Sequence, residues 1–199
     1  MTNRKSFLKI VCIDNSLRRD FLVGNDKDIL QKAQRINRWC AQKLYYSEGK
    51  KYQRNWTVKR GEVYFADLGE NIGSEENKIR PVVILQANAY NFKSPVVVCA
   101  IISSGPMTIP DIQVPIKGEY IYVDENGSEK RLVGSIDLGQ IKTIGKERIV
   151  TEKICLLKEE VQEMGRKLLN VFGLSGIIKS KENIIKSLQG KIEYIKEKR

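Results

Sequence analysis

The stretch Val58–Gln86, VKRGEVYFADLGENIGSEENKIRPVVILQ, predicts two β-strands separated by a polar loop. The first strand is a short run of β-branched and aromatic residues that begins just after Gly61. The segment Gly69–Lys78 is too polar and too rich in glycine to be buried, which predicts a loop. Arg80-Pro81 opens the second strand, Val82–Leu85, because proline lacks an N–H donor and fits the first position of a strand. This arrangement places an arginine at the mouth of a buried strand.

The sequence after this stretch predicts further short strands. Pro95–Ser103 is nearly all apolar, which predicts a strand buried on both faces, and Ala87–Ser94 before it predicts a loop. Three more strands are predicted at Ile112–Ile116, Tyr120–Val123 and Arg131–Ile144. Gly139 interrupts the last of them, and Asp124–Gly127 is a strong hairpin turn. Several short strands without alternating helices predict a mainly β, α+β protein built on a small barrel or sandwich.

Helices are predicted at both ends of the chain. Asn25 or Asp26 is a good N-cap for a helix that runs to about Tyr46 and has apolar residues at three- and four-residue spacing. A second helix is predicted at Leu157–Phe172, and a third at Ser175–Arg199 has an isoleucine-rich stripe. We expect the first helix to pack on the rest of the chain or on a second copy. The stripe of the last helix is typical of a docking face and less often of a membrane-surface helix.

Composition limits the classes of function. The chain has no apolar run close to the ~20 residues of a membrane span, and its N-terminus does not resemble a secretory signal. It has four widely spaced cysteines, no Cys-x-x-Cys pair and no histidine, so we expect free thiols rather than disulfides, no metal site, and a cytoplasmic protein. The net charge of +11 divides into +8 for residues 1–55, −1 for residues 56–155 and +4 for residues 156–199. The basic ends either attract a polyanion or are ordinary solvated surface.

Four motifs together resemble the MazF/PemK family of toxin endoribonucleases. In chain order they are Lys59–Phe65, Gly73–Glu75, Arg80–Val83 and Gln140–Ile144. The resemblance covers roughly Trp56 to Phe172 and implies an SH3-like small β-barrel of the MazF/PemK/CcdB type with helices attached. We therefore expect a basic helical extension at residues 1–55, a barrel domain at residues 56–172 and an additional C-terminal helix at residues 173–199.

Arg80 is the first candidate catalytic residue. RNA can be cleaved without a metal when the ribose 2′-OH attacks its own phosphorus, and the protein must then manage two protons and stabilise a dianionic phosphorane. A guanidinium suits the second task, because it presents a planar fork to phosphate oxygens and stays charged. In the family, the arginine that matches Arg80 has this role. The alternative is a structural ion pair between Arg80 and Glu75 or Glu76.

The second catalytic position of the family is a threonine at the end of the buried strand, usually followed by a serine. The resemblance aligns Ile102 with the threonine and Ser103 with the serine. Isoleucine cannot hydrogen-bond a phosphate, so the site is expected to use Ser103, to be weak, or to be inactive. The predicted substrate-binding residues are Ser74, Glu75, Lys59 and Gln140. An ordinary solvated loop and, for Gln140, an amide that stabilises the barrel are the alternatives.

The resemblance implies the toxin of a type II toxin–antitoxin pair, a sequence-selective and metal-independent endoribonuclease that needs no cofactor. Its substrate would be single-stranded RNA such as mRNA, because bases must be unpaired to be read. The expected partners are an antitoxin with an acidic, disordered segment and a second copy in a homodimer. The main alternative is a toxin-like protein that binds RNA or a protein without cleaving. A gyrase-poisoning toxin is a further alternative, against which the Arg80–Val83 motif argues.

Overall fold

The computed structural model describes residues 26–48 and 57–198. The chain divides into two units, Met1–Gly49 and Lys50–Arg199, and each is described by itself. The N-cap predicted at Asn25 lies outside the described residues. The first unit contains helix α1 (Asp26–Glu48), which confirms the predicted N-terminal helix.

The second unit is mainly β. Its elements are β1 (Glu62–Asp67), β2 (Ile79–Ile84), a short helix α2 (Asn88–Asn91), β3 (Val96–Ser103), β4 (Gln113–Pro115), β5 (Ile121–Val123), β6 (Glu129–Arg131), β7 (Ser135–Gly145), a 3-10 turn (Lys146–Arg148), β8 (Cys155–Leu156), α3 (Glu160–Val171) and α4 (Ser175–Glu197). Six strands form one antiparallel sheet in the order β4-β7-β3-β2-β1-β8, curled into a half-barrel, and β5 pairs with β6 in a separate hairpin. The predicted α+β fold with helical extensions at both ends is confirmed.

Both faces of the central strands are covered. On one face Val82, Cys99 and Ile101 belong to one buried cluster, and on the other face Ala100 and Ile102 belong to a second. Helix α3 covers the second face through side chains that include the fully buried Met164. Strand β3 therefore carries apolar residues at consecutive positions, as its sequence predicted.

The region predicted as one strand, Arg131–Ile144, is two strands. Strand β6 ends at Arg131 and β7 begins at Ser135. Between them Gly134 has φ +111, and a Cβ built there would lie 2.1 Å from the Ser103 carbonyl oxygen, so only glycine fits this close approach. The predicted interruption at Gly139 is confirmed, because the β7 partner changes from Ile141 to Asp137 between consecutive residues of β3.

Smaller differences concern short elements. Helix α2 lies within a segment predicted as a loop, and the two-residue strand β8 carries too little pattern to be predicted. Helix α3 begins at Glu160, three residues later than predicted, because Leu157 is buried in the core ahead of it. Among the residues that the structure describes, no helix has both the length and the apolar content needed to cross a membrane.

Candidate active site

Arg80 lies near the start of β2, at the end of the sheet from which the β1–β2 loop emerges. Its Nε is 3.0 Å from Glu76 Oε2, and 47% of its side chain is exposed. The predicted alternative of an ion pair with Glu76 is therefore present in the structure. An exposed pair of this kind contributes little to stability, so it leaves the guanidinium available to a stronger anion.

Ser103 shares the face of the sheet that carries Arg80. Strands β2 and β3 pair with Val82 opposite Ile101, and the same register continued by two residues sets Arg80 across from Ser103. Residues that lie opposite each other in an antiparallel pair project to the same face. The half-buried Ser103 hydroxyl accepts a hydrogen bond from the Gly105 N–H at 3.3 Å.

Ile102 does not lie in this site. It is 2% exposed, pairs with Ile136 across β3 and β7, and belongs to the cluster under α3. The expectation that it replaces a catalytic hydroxyl beside Arg80 is wrong, because side chains alternate along a strand and its neighbour Ser103 has the correct parity. The continuous apolar run of β3 hides this parity in the sequence.

The β1–β2 loop is fastened onto β7 by two side chains. Gln140 Oε1 accepts a hydrogen bond from the Glu76 N–H at 2.9 Å, and Gln140 Nε2 donates one to the Ser74 carbonyl at 3.3 Å. Lys142 Nζ forms an ion pair with Glu75 Oε2 at 2.9 Å. The Gln140 side chain therefore has a structural role, because it holds the backbone of the loop that carries the Arg80 partner Glu76.

An open cleft of about 520 Å³ lies between the β1–β2 loop and β7. Its lining residues are Ile72, Ser74, Glu75, Gly139, Gln140, Ile141 and Lys142. Three predicted substrate-binding residues, Ser74, Glu75 and Gln140, thus come together. Lys142 was not among the predicted site residues, although it stands within the Gln140–Ile144 motif.

Lys59 is separated from these residues. It precedes β1, whereas Arg80 pairs with Ala66 near the other end of that strand. The four residue steps from Glu62 to Ala66 alone span about 13 Å, and Lys59 lies in the turn before Glu62, whose N–H donates to the Lys59 carbonyl at 3.1 Å. The Lys59 backbone N–H donates to Glu62 Oε2 at 2.6 Å, beside the opposite end of the sheet. The structure therefore does not bring Lys59 together with Arg80.

Two polar residues of β7 complete the surroundings of Ser103, and the sequence analysis missed both. Ser135 lies directly opposite Ser103 and is 3% exposed. Asp137 lies two residues further along the same face, opposite Ile101, and its Oδ1 accepts a hydrogen bond from the Gly139 N–H at 2.8 Å. An aspartate in a predicted strand is usually a solvated residue, so the sequence alone gave no signal for it.

Two cations beside the β1–β2 loop form ion pairs with carboxylates of that loop. Arg80 pairs with Glu76, and Lys142 pairs with Glu75. A phosphate that displaces Glu76 from Arg80 would meet the guanidinium on the face of the sheet that carries the Ser103 hydroxyl, whereas Lys142 pairs with Cys99 further along β3. Among the described residues no group of three or more His, Cys, Asp or Glu side chains could hold a metal ion. The Arg80 guanidinium and the Ser103 hydroxyl are groups that can hydrogen-bond phosphate oxygens, and Glu76 is a carboxylate that can accept a proton.

Comparison with known proteins identifies the same family. A family model described as "PemK-like, MazF-like toxin of type II toxin-antitoxin system" matches residues 59–172. The chain is 40% identical over 106 residues to the Bacillus subtilis (strain 168) protein named Endoribonuclease EndoA, across 53% of this chain and 85% of that protein. Helices α1 and α4 lie outside the family match.

Two solved structures are also similar to this chain. One is described as an endoribonuclease in complex with its cognate antitoxin from a mycobacterial species; it is 24% identical, and the match covers 59% of this chain and 96% of that one with a TM-score of 0.45. The other is a crystal structure of MazF from Deinococcus radiodurans; it is 17% identical, and the match covers 60% of this chain and 99% of that one with a TM-score of 0.47.

Proposed function

The chain belongs to the PemK-like, MazF-like toxins of type II toxin–antitoxin systems, and from this premise we propose that it is a metal-independent endoribonuclease that cleaves single-stranded RNA. The observation that carries the proposal is the common face of Arg80 and Ser103, at the sheet end covered by the Ser74–Glu76 loop. We propose Arg80 and Ser103 as catalytic residues and Ser74, Glu75, Gln140 and Lys142 as the surroundings of the substrate.

In the proposed reaction the ribose 2′-oxygen forms a bond to the adjacent phosphorus, and the bond from phosphorus to the 5′-oxygen breaks. The products are a 2′,3′-cyclic phosphate and a free 5′-hydroxyl. Arg80 exchanges Glu76 for the phosphate and stabilises the charge that develops on the phosphorane, and Ser103 donates a hydrogen bond to a phosphate oxygen. Glu76, once displaced, is a carboxylate beside the phosphate that accepts the 2′-OH proton, and water protonates the leaving oxygen.

The proposed substrate is unpaired RNA such as mRNA, because the loop and cleft sit on an open face that admits splayed bases. The proposed partners are an antitoxin with an acidic, disordered segment and a second copy of the chain. Both proposals rest on the family, in which one similar structure is described as an endoribonuclease with its cognate antitoxin. We further propose that the protein acts in the cytoplasm, where mRNA is found.

The proposal is tested by incubating the purified protein with a mixed single-stranded RNA in EDTA. Wild type should produce discrete fragments with cyclic phosphate ends, and Arg80→Ala should abolish them while its thermal unfolding stays unchanged. Arg80→Lys should recover little cleavage, because the bidentate fork is lost.

Arg131→Ala is the matched control. Arg131 is an exposed arginine on β6 that pairs with Glu119 at 3.3 Å, so its removal takes away the same charge from a different surface. It should cleave as well as wild type. Unchanged cleavage by Arg80→Ala would end the proposed mechanism.

The second candidate function is RNA or protein binding without cleavage. The observation that favours it is the Arg80–Glu76 ion pair, because a guanidinium that already has a carboxylate partner can bind an anion without taking part in a reaction. The same assay separates the two functions. A binder should retain labelled RNA in a filter assay and release no fragments.

A further inference from the structure

Asn71 ties the two ends of the β1–β2 loop together. Its Nδ2 donates hydrogen bonds to the Leu68 carbonyl at 3.2 Å and to the Glu76 carbonyl at 2.7 Å. Its backbone N–H donates to Asn77 Oδ1. Leu68 directly follows β1, whereas Glu76 and Asn77 lie shortly before β2. A single residue inside the loop therefore fixes the segment that leads into Arg80.

These contacts hold Glu76, the carboxylate that pairs with Arg80. The Glu76 carbonyl accepts a hydrogen bond from Asn71, and the Glu76 N–H donates one to Gln140 Oε1 at 2.9 Å. Both backbone polar groups of Glu76 are thus bound by side chains, although the preceding residues 72–75 are exposed. Exposed loops are usually more mobile than the elements that they connect. Anchoring on both sides keeps the Glu76 carboxylate in one place.

Lys78 bends the backbone between Glu76 and Arg80. Its φ is +65, in the left-handed region that residues other than glycine rarely adopt. The Lys78 N–H donates to the Gly69 carbonyl at 2.8 Å, and the Lys78 carbonyl accepts from the Leu68 N–H at 2.8 Å, so the base of the loop holds the bend. Such strained residues are concentrated at functional sites. Here the bend lies in the short segment that joins two ion-pair partners, whose Nε and Oε2 atoms are 3.0 Å apart.

We propose that Asn71 is a positioning residue for Glu76, and that the Asn71 amide and the Lys78 bend hold the Glu76 carboxylate where it accepts the 2′-OH proton. The inference rests on the proposed RNA cleavage. A proton acceptor must lie within hydrogen-bond reach of its proton, and small displacements lower the rate. Gln140 also holds the Ser74 carbonyl beside the cleft, whereas Asn71 holds the Glu76 carbonyl and the base of the loop. Loss of the Asn71 amide should therefore lower kcat more than it raises KM.

Steady-state cleavage of one single-stranded RNA in EDTA tests the proposal. Asn71→Ala should lower kcat by roughly 10- to 100-fold and leave KM nearly unchanged, while the thermal transition shows that the barrel remains folded. Asn71→Asp has the same shape without the N–H donors and should lose as much. Asn126→Ala removes an exposed asparagine from the β5–β6 turn, and this matched control should cleave like wild type.

A double-mutant cycle shows whether Asn71 acts through Glu76. Glu76→Gln should itself lower kcat, and adding Asn71→Ala should cause no further loss, because no proton acceptor remains to be positioned. An equal loss of kcat in both backgrounds would assign Asn71 to loop stability alone and overturn the proposal.

Lys78→Gly and Lys78→Val separate the backbone bend from the charge. Both remove the same exposed amine, but glycine adopts a φ of +65 without strain and the β-branched valine does not. The glycine variant should keep the wild-type kcat, and the valine variant should fall by roughly 10-fold or more. Equal kcat in the two would refute the role of the bend. A wild type that releases no fragments would overturn the proposed function and this inference together, whereas full kcat in Asn71→Ala beside an active wild type would overturn this inference alone.

Discussion

At the scale of single residues, the function of Ser103 depends on which way one side chain of β3 points. Ser103→Ala should lower cleavage by about 10²–10³-fold, the effect of removing one hydrogen bond to the transition state. Ser104→Ala is the matched control, because Ser104 is the exposed next residue and should have no effect. Initial rates on one RNA in EDTA compare the two variants. Equal activity of the Ser103 variant and wild type would remove the serine from the mechanism.

Ile102 illustrates the opposite case, a residue whose role is packing. Ile102→Thr places a hydroxyl in a cluster where the native side chain is 2% exposed. We expect a loss of about 1–3 kcal/mol in the free energy of unfolding, because the hydroxyl is buried without a partner. Urea denaturation measures the loss, and cleavage per folded molecule should stay at the wild-type level. A gain in cleavage would place Ile102 back in the site.

Glu160 is a buried carboxylate with an identifiable pH effect. Its Oε1 accepts hydrogen bonds from the Lys117 N–H at 2.8 Å and the Gly118 N–H at 3.2 Å, and its Oε2 accepts one from the Tyr120 hydroxyl at 2.8 Å. Burial alone would raise the pKa of Glu160, but these hydrogen bonds outweigh it and hold the pKa below its ordinary value. The carboxylate therefore ties the β4–β5 connection to the start of α3.

Because the pKa of Glu160 is lower in the folded than in the unfolded chain, its stabilisation is present above the ordinary glutamate pKa and disappears as the pH falls. Glu160→Gln should cost about 1–3 kcal/mol of unfolding free energy at pH 7 and progressively less between pH 5 and pH 3. Urea titrations at each pH measure this difference. The exposed neighbour variant Glu159→Gln should show no such pH-dependent loss; a constant difference between wild type and Glu160→Gln would refute the linkage.

At the scale of elements, the β1–β2 loop depends on β7 for its position. Gln140→Ala removes both amide contacts to the loop backbone and leaves the Lys142–Glu75 ion pair. Amide hydrogen exchange at residues 72–77 should accelerate at least tenfold, and cleavage should weaken mainly through a higher KM, because the loop no longer holds one position.

Gln162→Ala, an exposed glutamine on α3, is the matched control for the loop and should change neither measurement. If Gln140→Ala left hydrogen exchange unchanged but raised KM, the amide would contact the substrate directly instead. That outcome would return Gln140 to the role that the family resemblance implied.

At the scale of the whole molecule, the N-terminal region is strongly basic, whereas the middle of the chain is nearly neutral. Residues 1–55 carry a net charge of +8, and the division into two units falls between Gly49 and Lys50. If this charge attracts RNA, deleting residues 1–50 should reduce the slope of log affinity against log salt concentration. Binding of a 2′-O-methylated single-stranded RNA, which resists cleavage, can be measured between 50 and 200 mM salt.

The truncated chain should also keep the thermal transition of the barrel, since its core clusters lie within residues 58–164. Identical salt slopes for the two chains would assign the basic region to ordinary solvated surface. An insoluble truncation would show that α1 contributes to the core.

The sequence by itself determined much of this protein. Strand-forming runs bounded by proline, glycine and polar loops predicted β1, β2 and β3, since these signals act over a few residues. The motif around Arg80 predicted the family, and periodic apolar residues predicted α1, α3 and α4. Each of these inferences depends on chemistry between residues that are close along the chain.

Only the tertiary structure decided which side chains share a face of the sheet, because this depends on pairing between strands that are distant in sequence. The register of β2 with β3 puts Ser103 rather than Ile102 on the Arg80 face, and no local pattern shows this because β3 is apolar on both sides. The bulge opposite Gly139 sets where Gln140 and Lys142 meet the loop, and strand direction takes Lys59 away from it. Successive side chains of a strand point to opposite faces of the sheet. A shift of one residue in the pairing register would therefore move a core side chain into the site and a site side chain into the core, and only the assembled sheet fixes the register.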